Sequence, residues 1–174
     1  MATDVSIRVG VDGEKEFRSA LNSINNQIKS LNNEMKSVVS GFTGMDSAET
    51  RTAKQTDVLG RAIDATKRKI KTIGEEYDRQ KAKLEELGAA LDEASSAEYK
   101  STADREKAIT KATNAYNRQA ASVNKLSSDL NAANADLNRM ENEMRDLENS
   151  ADRAGGALDD LGDDAQQTGN SLKD

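Results

Sequence analysis

The sequence predicts an all-α chain, a long helical coiled coil preceded by a short N-terminal β-strand. Three observations predict it. The 174 residues contain no proline, the residue that most strongly breaks a helix. Apolar residues recur at alternating spacings of four and three through most of the chain, the a/d pattern of a coiled coil. Residues 5–11, VSIRVGV, alternate apolar and polar with period two, as a strand does. An extended rod is the favoured arrangement, and an antiparallel helical hairpin is the alternative.

Composition narrows the chemistry. Two Phe, three Tyr and no Trp supply few large side chains for a globular core, so burial must come from narrow apolar seams. With no His and no Cys, the chain lacks the usual zinc ligands, a thiol nucleophile and an imidazole base. The net charge of −6 disfavours stable binding to nucleic acid or to anionic lipid. No apolar run exceeds three residues, which leaves no membrane-spanning segment. We expect no catalytic, cofactor-binding or metal-binding residue, and no enzyme.

Residues 1–13 form the strand and turn. Val5, Ile7, Val9 and Val11 occupy one face of the strand, and Asp12-Gly13 makes the turn. The chain contains no second strand of similar quality. This one can pair with another copy or another protein by β-addition, or lie as an extended arm on a helix.

Residues 14–42 form a first amphipathic helix, whose seam is Phe17, Leu21, Ile24, Ile28, Leu31, Met35, Val38 and Phe42, all apolar. Residues 43–52 hold a glycine and small polar residues that weaken a helix, and form a break. The phase survives it, since steps of seven from Phe42 land on Ile63. The second heptad helix covers residues 53–94. Its seam is Leu59, Ile63, Thr66, Ile70, Ile73, Tyr77, Gln80, Leu84, Leu87, Leu91 and Ala94, of which only Thr66 and Gln80 are polar. Polar seam residues weaken a coiled coil but fix its register.

Residues 95–105 shift the phase by four, as a stutter or a loop. Ser95 and Glu98 have the spacing of a capping box. The third helix covers residues 106–154. Its seam is Ile109, Ala112, Tyr116, Gln119, Val123, Leu126, Leu130, Ala133, Leu137, Met140, Met144 and Leu147. The phase continues into residues 155–174, but the glycines and aspartates there predict a frayed acidic tail. The flanks of the second helix carry Lys67, Lys69, Lys81 and Lys83, and those of the third carry Asp129, Asp136, Glu141, Glu143 and Glu148. That sign difference suits an antiparallel pairing of the two.

Paired carboxylates such as Glu75-Glu76 and Asp159-Asp160 read as solvated faces, because catalytic carboxylates need a pocket that shifts their pKa. The KRKIK string at 67–71 could touch phosphates, but it is short and set among acids. Tyr77 and Tyr116 fall on the seam and read as packing residues.

The opening VSIRVGVDGEKEFRSALNSINNQIKSLNNEMKSVVSGF resembles the N-terminus of tail tape measure proteins of long-tailed phages of Gram-positive hosts and of related phage-tail-like particles. The short strand, the DGEKEF turn and the helix with LN-x-EMK carry the resemblance. The stretch AKQTDVLGRAIDATKRKIKTIGEEYDRQKAKLEELG and the closing LDDLGDDAQQTGNSLKD extend it over most of the chain. The resemblance implies a structural protein of the virion that fills the lumen of the tail tube and sets tail length. It also implies residence in the host cytoplasm during assembly, self-association as a trimer, and contact with tail-tube or tail-tip proteins. Members of the family are usually longer and carry an apolar stretch that this sequence lacks. The alternative is a bacterial coiled-coil adaptor or scaffold that binds partner helices.

Overall fold

The computed structural model describes residues 13–44 and 46–171, with only the backbone described for 158–171. The described residues form three helices: α1 (Glu14–Ser40), α2 (Ala48–Ser96) and α3 (Thr102–Ser171). The strand expected at Val5, Ile7, Val9 and Val11 lies outside the described residues.

Each helix end has a local cause. Gly13 takes a positive φ of 88°, which costs glycine no Cβ clash, and its carbonyl accepts the Phe17 N–H at 2.9 Å to open α1. Glu14 and Glu16 follow in the first turn, where the helix dipole favours negative charge. After α1, Thr43 donates its N–H to Asp46 Oδ2 at 2.7 Å and its hydroxyl to the same oxygen at 3.0 Å. These bonds to Thr43 hold the Asp46 carboxyl below its ordinary pKa. Ser47 then caps α2, its Oγ accepting the Thr50 N–H at 3.1 Å. This cap moves the helix start to Ala48, inside the break expected at 43–52.

The second break is also shorter than expected. The tip between α2 and α3 is residues 97–101 rather than 95–105. Ser95 and Ser96 cap nothing; their hydroxyls donate back to the carbonyls of Leu91 at 2.8 Å and Asp92 at 2.9 Å. The Tyr99 hydroxyl donates to Ala94 O at 2.9 Å and Arg105 Nη2 to Ser95 O at 3.2 Å, satisfying the last carbonyls of α2. Ser101 caps α3, its Oγ accepting the Asp104 N–H at 3.1 Å while donating to Asp104 Oδ2 at 2.9 Å.

The helical backbone of α3 continues through Gly155 and Gly156 to Ser171, where a frayed tail was expected from residue 155. A glycine keeps its N–H and costs about 1 kcal/mol, against about 3 kcal/mol for a proline, so glycines thin a long helix without ending it.

The chain divides into two compact units. The first comprises Met1–Ser23 and Arg68–Asn134. Its core is Ile73, Leu126 and Ala133, with Phe17, Leu21, Ile70, Tyr77 and Leu130 packed against them. Here α2 and α3 are antiparallel: Gly88 lies beside Tyr116, and Gln80 beside Gln119. The second unit comprises Ile24–Lys67 and Ala135–Asp174. Its buried residues are Leu31, Val58, Leu59, Ala62, Ile63, Ala65 and Met140, flanked by Ile28, Met35, Val38, Leu137, Met144 and Leu147. Thr66 donates to Met140 Sδ at 3.6 Å, and Gly60 lies beside Met144, so α2 and α3 are antiparallel here too. Glu34 on α1 forms an ion pair with Arg61 on α2, and Lys67 reaches Glu141 at 3.1 Å.

Within each unit α2 and α3 therefore pair antiparallel, as in the hairpin alternative. The reason is the tip. Closing a loop of a few residues carries a small entropic cost, and it places α3 beside α2 at an effective concentration no separate chain matches.

Ser101→Ala removes the α3 cap and is expected to destabilise the chain by about 1 kcal/mol, whereas Ser95→Ala changes stability little. Thermal unfolding of the two variants followed by circular dichroism checks the difference.

Candidate interaction groove

The seam residues, which in an extended rod would need partners from other copies, are all buried or half-buried in the single chain. Leu31, Leu59, Ile63, Ile73, Leu87, Val123, Leu126 and Met140 are buried. Phe17, Leu21, Ile24, Ile28, Met35, Ile70, Tyr77, Leu84, Leu91, Leu130, Leu137, Met144 and Leu147 are half-buried. Within the single chain these residues line the interior between the helices.

One stripe was not read from the sequence. Val58, Ala62 and Ala65 are buried beside Leu59, Ile63 and Thr66. They repeat the four-three spacing one residue ahead of the seam. In this segment α2 packs against both α1 and α3, so its apolar face is wider than a two-stranded seam. Ala62 and Ala65 are small residues buried in the cluster that α1, α2 and α3 share. The doubled stripe itself is the signal that could have found it.

In the first unit the interior carries polar groups. Gln119 Nε2 donates to the Gln80 backbone oxygen at 2.7 Å and to Gln80 Oε1 at 2.6 Å. Gln80 Nε2 in turn donates to Glu76 Oε1. Glu76 is 3% exposed, and its Oε2 lies 2.9 Å from Arg79 Nη1 without hydrogen-bond alignment. A buried carboxylate needs a charge partner, and Arg79 supplies it. Arg79 also occupies the space beside Gly13 that a Cβ there would need.

Next to this cluster lies an open groove of about 1150 Å³. Phe17 and Leu21 at the start of α1 and Leu126 on α3 are its apolar lining, and Gln80 and Lys83 line it from α2. Along α3 it runs from Ala103 to Asp129 and includes Lys107, Lys111, Arg118 and Lys125. These four cations recur at spacings of four and seven, which puts them on one helix face. Asp129 pairs with Lys125 at 3.2 Å and Glu14 with Arg18. Among the described residues no ion-pair partner reaches Lys107, Lys111 or Arg118. The spacing was legible in the sequence, but nothing in it distinguished this stripe from an ordinary solvated face.

The KRKIK string does not form one cationic patch. Lys67 pairs with Glu141, Lys71 lies 3.9 Å from Glu75, and Ile70 packs in the core. Glu85 and Glu86 are exposed. Among the described residues no group of three acidic, His or Cys side chains could hold a metal ion, and no helix is long and apolar enough to cross a membrane. Compared with known proteins, the chain matches no family model, no curated sequence and no solved structure.

The polar layer yields a stability prediction. Gln119→Ala leaves the Gln80 amide oxygen without its donor and is expected to cost about 1–3 kcal/mol. Replacing both Gln80 and Gln119 by Leu also removes the donor to the buried Glu76 carboxylate and is expected to cost more than the single change. Urea unfolding of the three proteins measures this.

Proposed function

We propose that this chain is a structural protein of a phage tail, of the tape measure type, that fills part of the tail-tube lumen and contributes to tail length. The observation that carries the reading is the opening DGEKEF turn followed by the LN-x-EMK helix. Two physical features support it. Proline-free helices of 49 and 70 residues convert residue number into length at about 1.5 Å per residue. Net charge −6 also suits a filler that a polyanionic genome must pass without sticking. Contacts with tube or tip proteins, and self-association as the resemblance implies, would use surfaces outside the seam, because the seam is occupied within the chain. The groove beside α1 favours a second reading, a coiled-coil adaptor that receives a partner helix.

The test is tail length. Residues 84–90 and 112–118 face each other across the hairpin, and each set is one heptad. Removing both keeps the phase, because Leu91 follows into the Leu84 position and Gln119 into the Ala112 position. Tails assembled with such a chain are expected to shorten by about 10 Å per matched pair, read by electron microscopy with several pairs removed. Tails of unchanged length with normal assembly contradict a ruler role, and absence of the chain from purified particles favours the adaptor.

A further inference from the structure

We propose that the groove of one copy receives the acidic C-terminal end of α3 from a second copy, so that chains associate head to tail. The inference stands on charge and register and does not depend on the tail-tape reading.

The receiving site is the groove in the unit of Met1–Ser23 and Arg68–Asn134. Its apolar lining includes Phe17, Leu21 and Leu126, and among the described residues no ion-pair partner reaches its cations Lys107, Lys111 and Arg118. Along α3 the groove spans Ala103 to Asp129, about 39 Å at the helical rise. Residues 102–125 hold five basic and two acidic side chains.

The donor is at the other end of the same helix. Residues 141–164 hold nine acidic side chains against Arg145 and Arg153, an excess larger than the net charge of the whole chain. In the unit of Ile24–Lys67 and Ala135–Asp174, Gly60 lies beside Met144 and α2 begins at Ala48. That antiparallel register brings the first residue of α2 level with about residue 156. The backbone of α3 continues to Ser171, and by this register no other described helix runs alongside it there. Residues 157–171 span about 22 Å and fit within the length of the groove. Leu158, Leu161 and Ala165 continue the heptad phase, and Asp159, Asp160, Asp163 and Asp164 lie between them. The groove lining holds six basic side chains against Glu14, Glu76, Glu106 and Asp129, and an amphipathic acidic helix is the complement of that basic excess beside an apolar lining.

A contact between two different patches is heterologous, so it leaves a free groove at one end and a free tail at the other and propagates. The contact joins opposite charges on solvent-exposed side chains, so added salt screens the attraction and weakens it.

The test uses the full chain in sedimentation equilibrium. At about 50 mM salt the average mass is expected to rise with concentration past a dimer, and at about 500 mM, where the Debye length is a few ångströms, to return towards the monomer. The groove variant Lys107→Glu, Lys111→Glu, Arg118→Glu and the tail variant Asp159→Lys, Asp160→Lys, Asp163→Lys, Asp164→Lys are each expected to weaken association at least about tenfold. Mixed in equal amounts they are expected to recover it, because the acidic groove of one then meets the basic tail of the other. The milder variant Lys107→Gln, Lys111→Gln, Arg118→Gln, with unchanged helical circular dichroism, guards against misfolding. A wild-type chain that stays monomeric at low salt overturns the proposal, whether residues 1–12 cover the groove or a single-stranded oligonucleotide binds it. So does association that survives in the groove variant, or a mixture that fails to recover it.

Discussion

The pairing of α2 with α3 in the same chain is the interaction on which the rest of the structure depends. Neither helix can bury its own seam, and a fully buried Leu or Ile is worth about 1.5–3 kcal/mol relative to exposure. The tip at residues 97–101 supplies the partner at almost no entropic cost. Ser101 starts α3, while Tyr99 and Arg105 finish α2. Val58, Ala62 and Ala65 of α2 are buried in a cluster with Leu31 of α1 and Met140 of α3.

Two polar residues on the α2 seam have different consequences. Thr66 is buried and gives its hydroxyl to the polarizable sulfur of Met140, a weak acceptor that leaves the layer close to apolar. Gln80 instead builds a network with Gln119 and the buried Glu76. This network specifies register at some expense in stability, because Glu76 Oε2 has no aligned donor and sliding the helices strands the other donors and acceptors. Gly88 lies beside Tyr116 across the same pairing, where an added Cβ would meet the ring in ordinary contact at 3.6 Å.

The helices were legible in the sequence because the four-three spacing from Phe17 to Leu147 has no other simple reading. Their boundaries were less so, since a single serine decides the starts of α2 and α3: Ser47 and Ser101 cap, while Ser95 with the right spacing to Glu98 does not. The choice between rod and hairpin was hidden for a deeper reason. Leu59, Ile73 or Leu126 needs an apolar neighbour, and its spacing is the same whether that neighbour comes from the same chain or from another. Only the opposed flanks, Lys67 facing Glu141 among them, leaned towards the hairpin. The buried Glu76 was unreadable because its neighbour Glu75 is identical in type, and only the helix phase separates a buried carboxylate from an exposed one. The groove arises from where α1 begins relative to the hairpin, which no local pattern encodes.

The measurement that tests the antiparallel pairing most directly is a single distance. The chain has no cysteine, so Lys81→Cys and Asn117→Cys, both at exposed positions, introduce two unique labelling sites. Helix axes packed side by side lie about 8–10 Å apart, so spin labels on these positions are expected to show a separation of about 15–25 Å by double electron–electron resonance. Diluting labelled chains into an excess of unlabelled ones should leave it unchanged. A distance near 54 Å, the length of the intervening residues in one continuous helix, or a short distance that disappears on dilution, would contradict the hairpin.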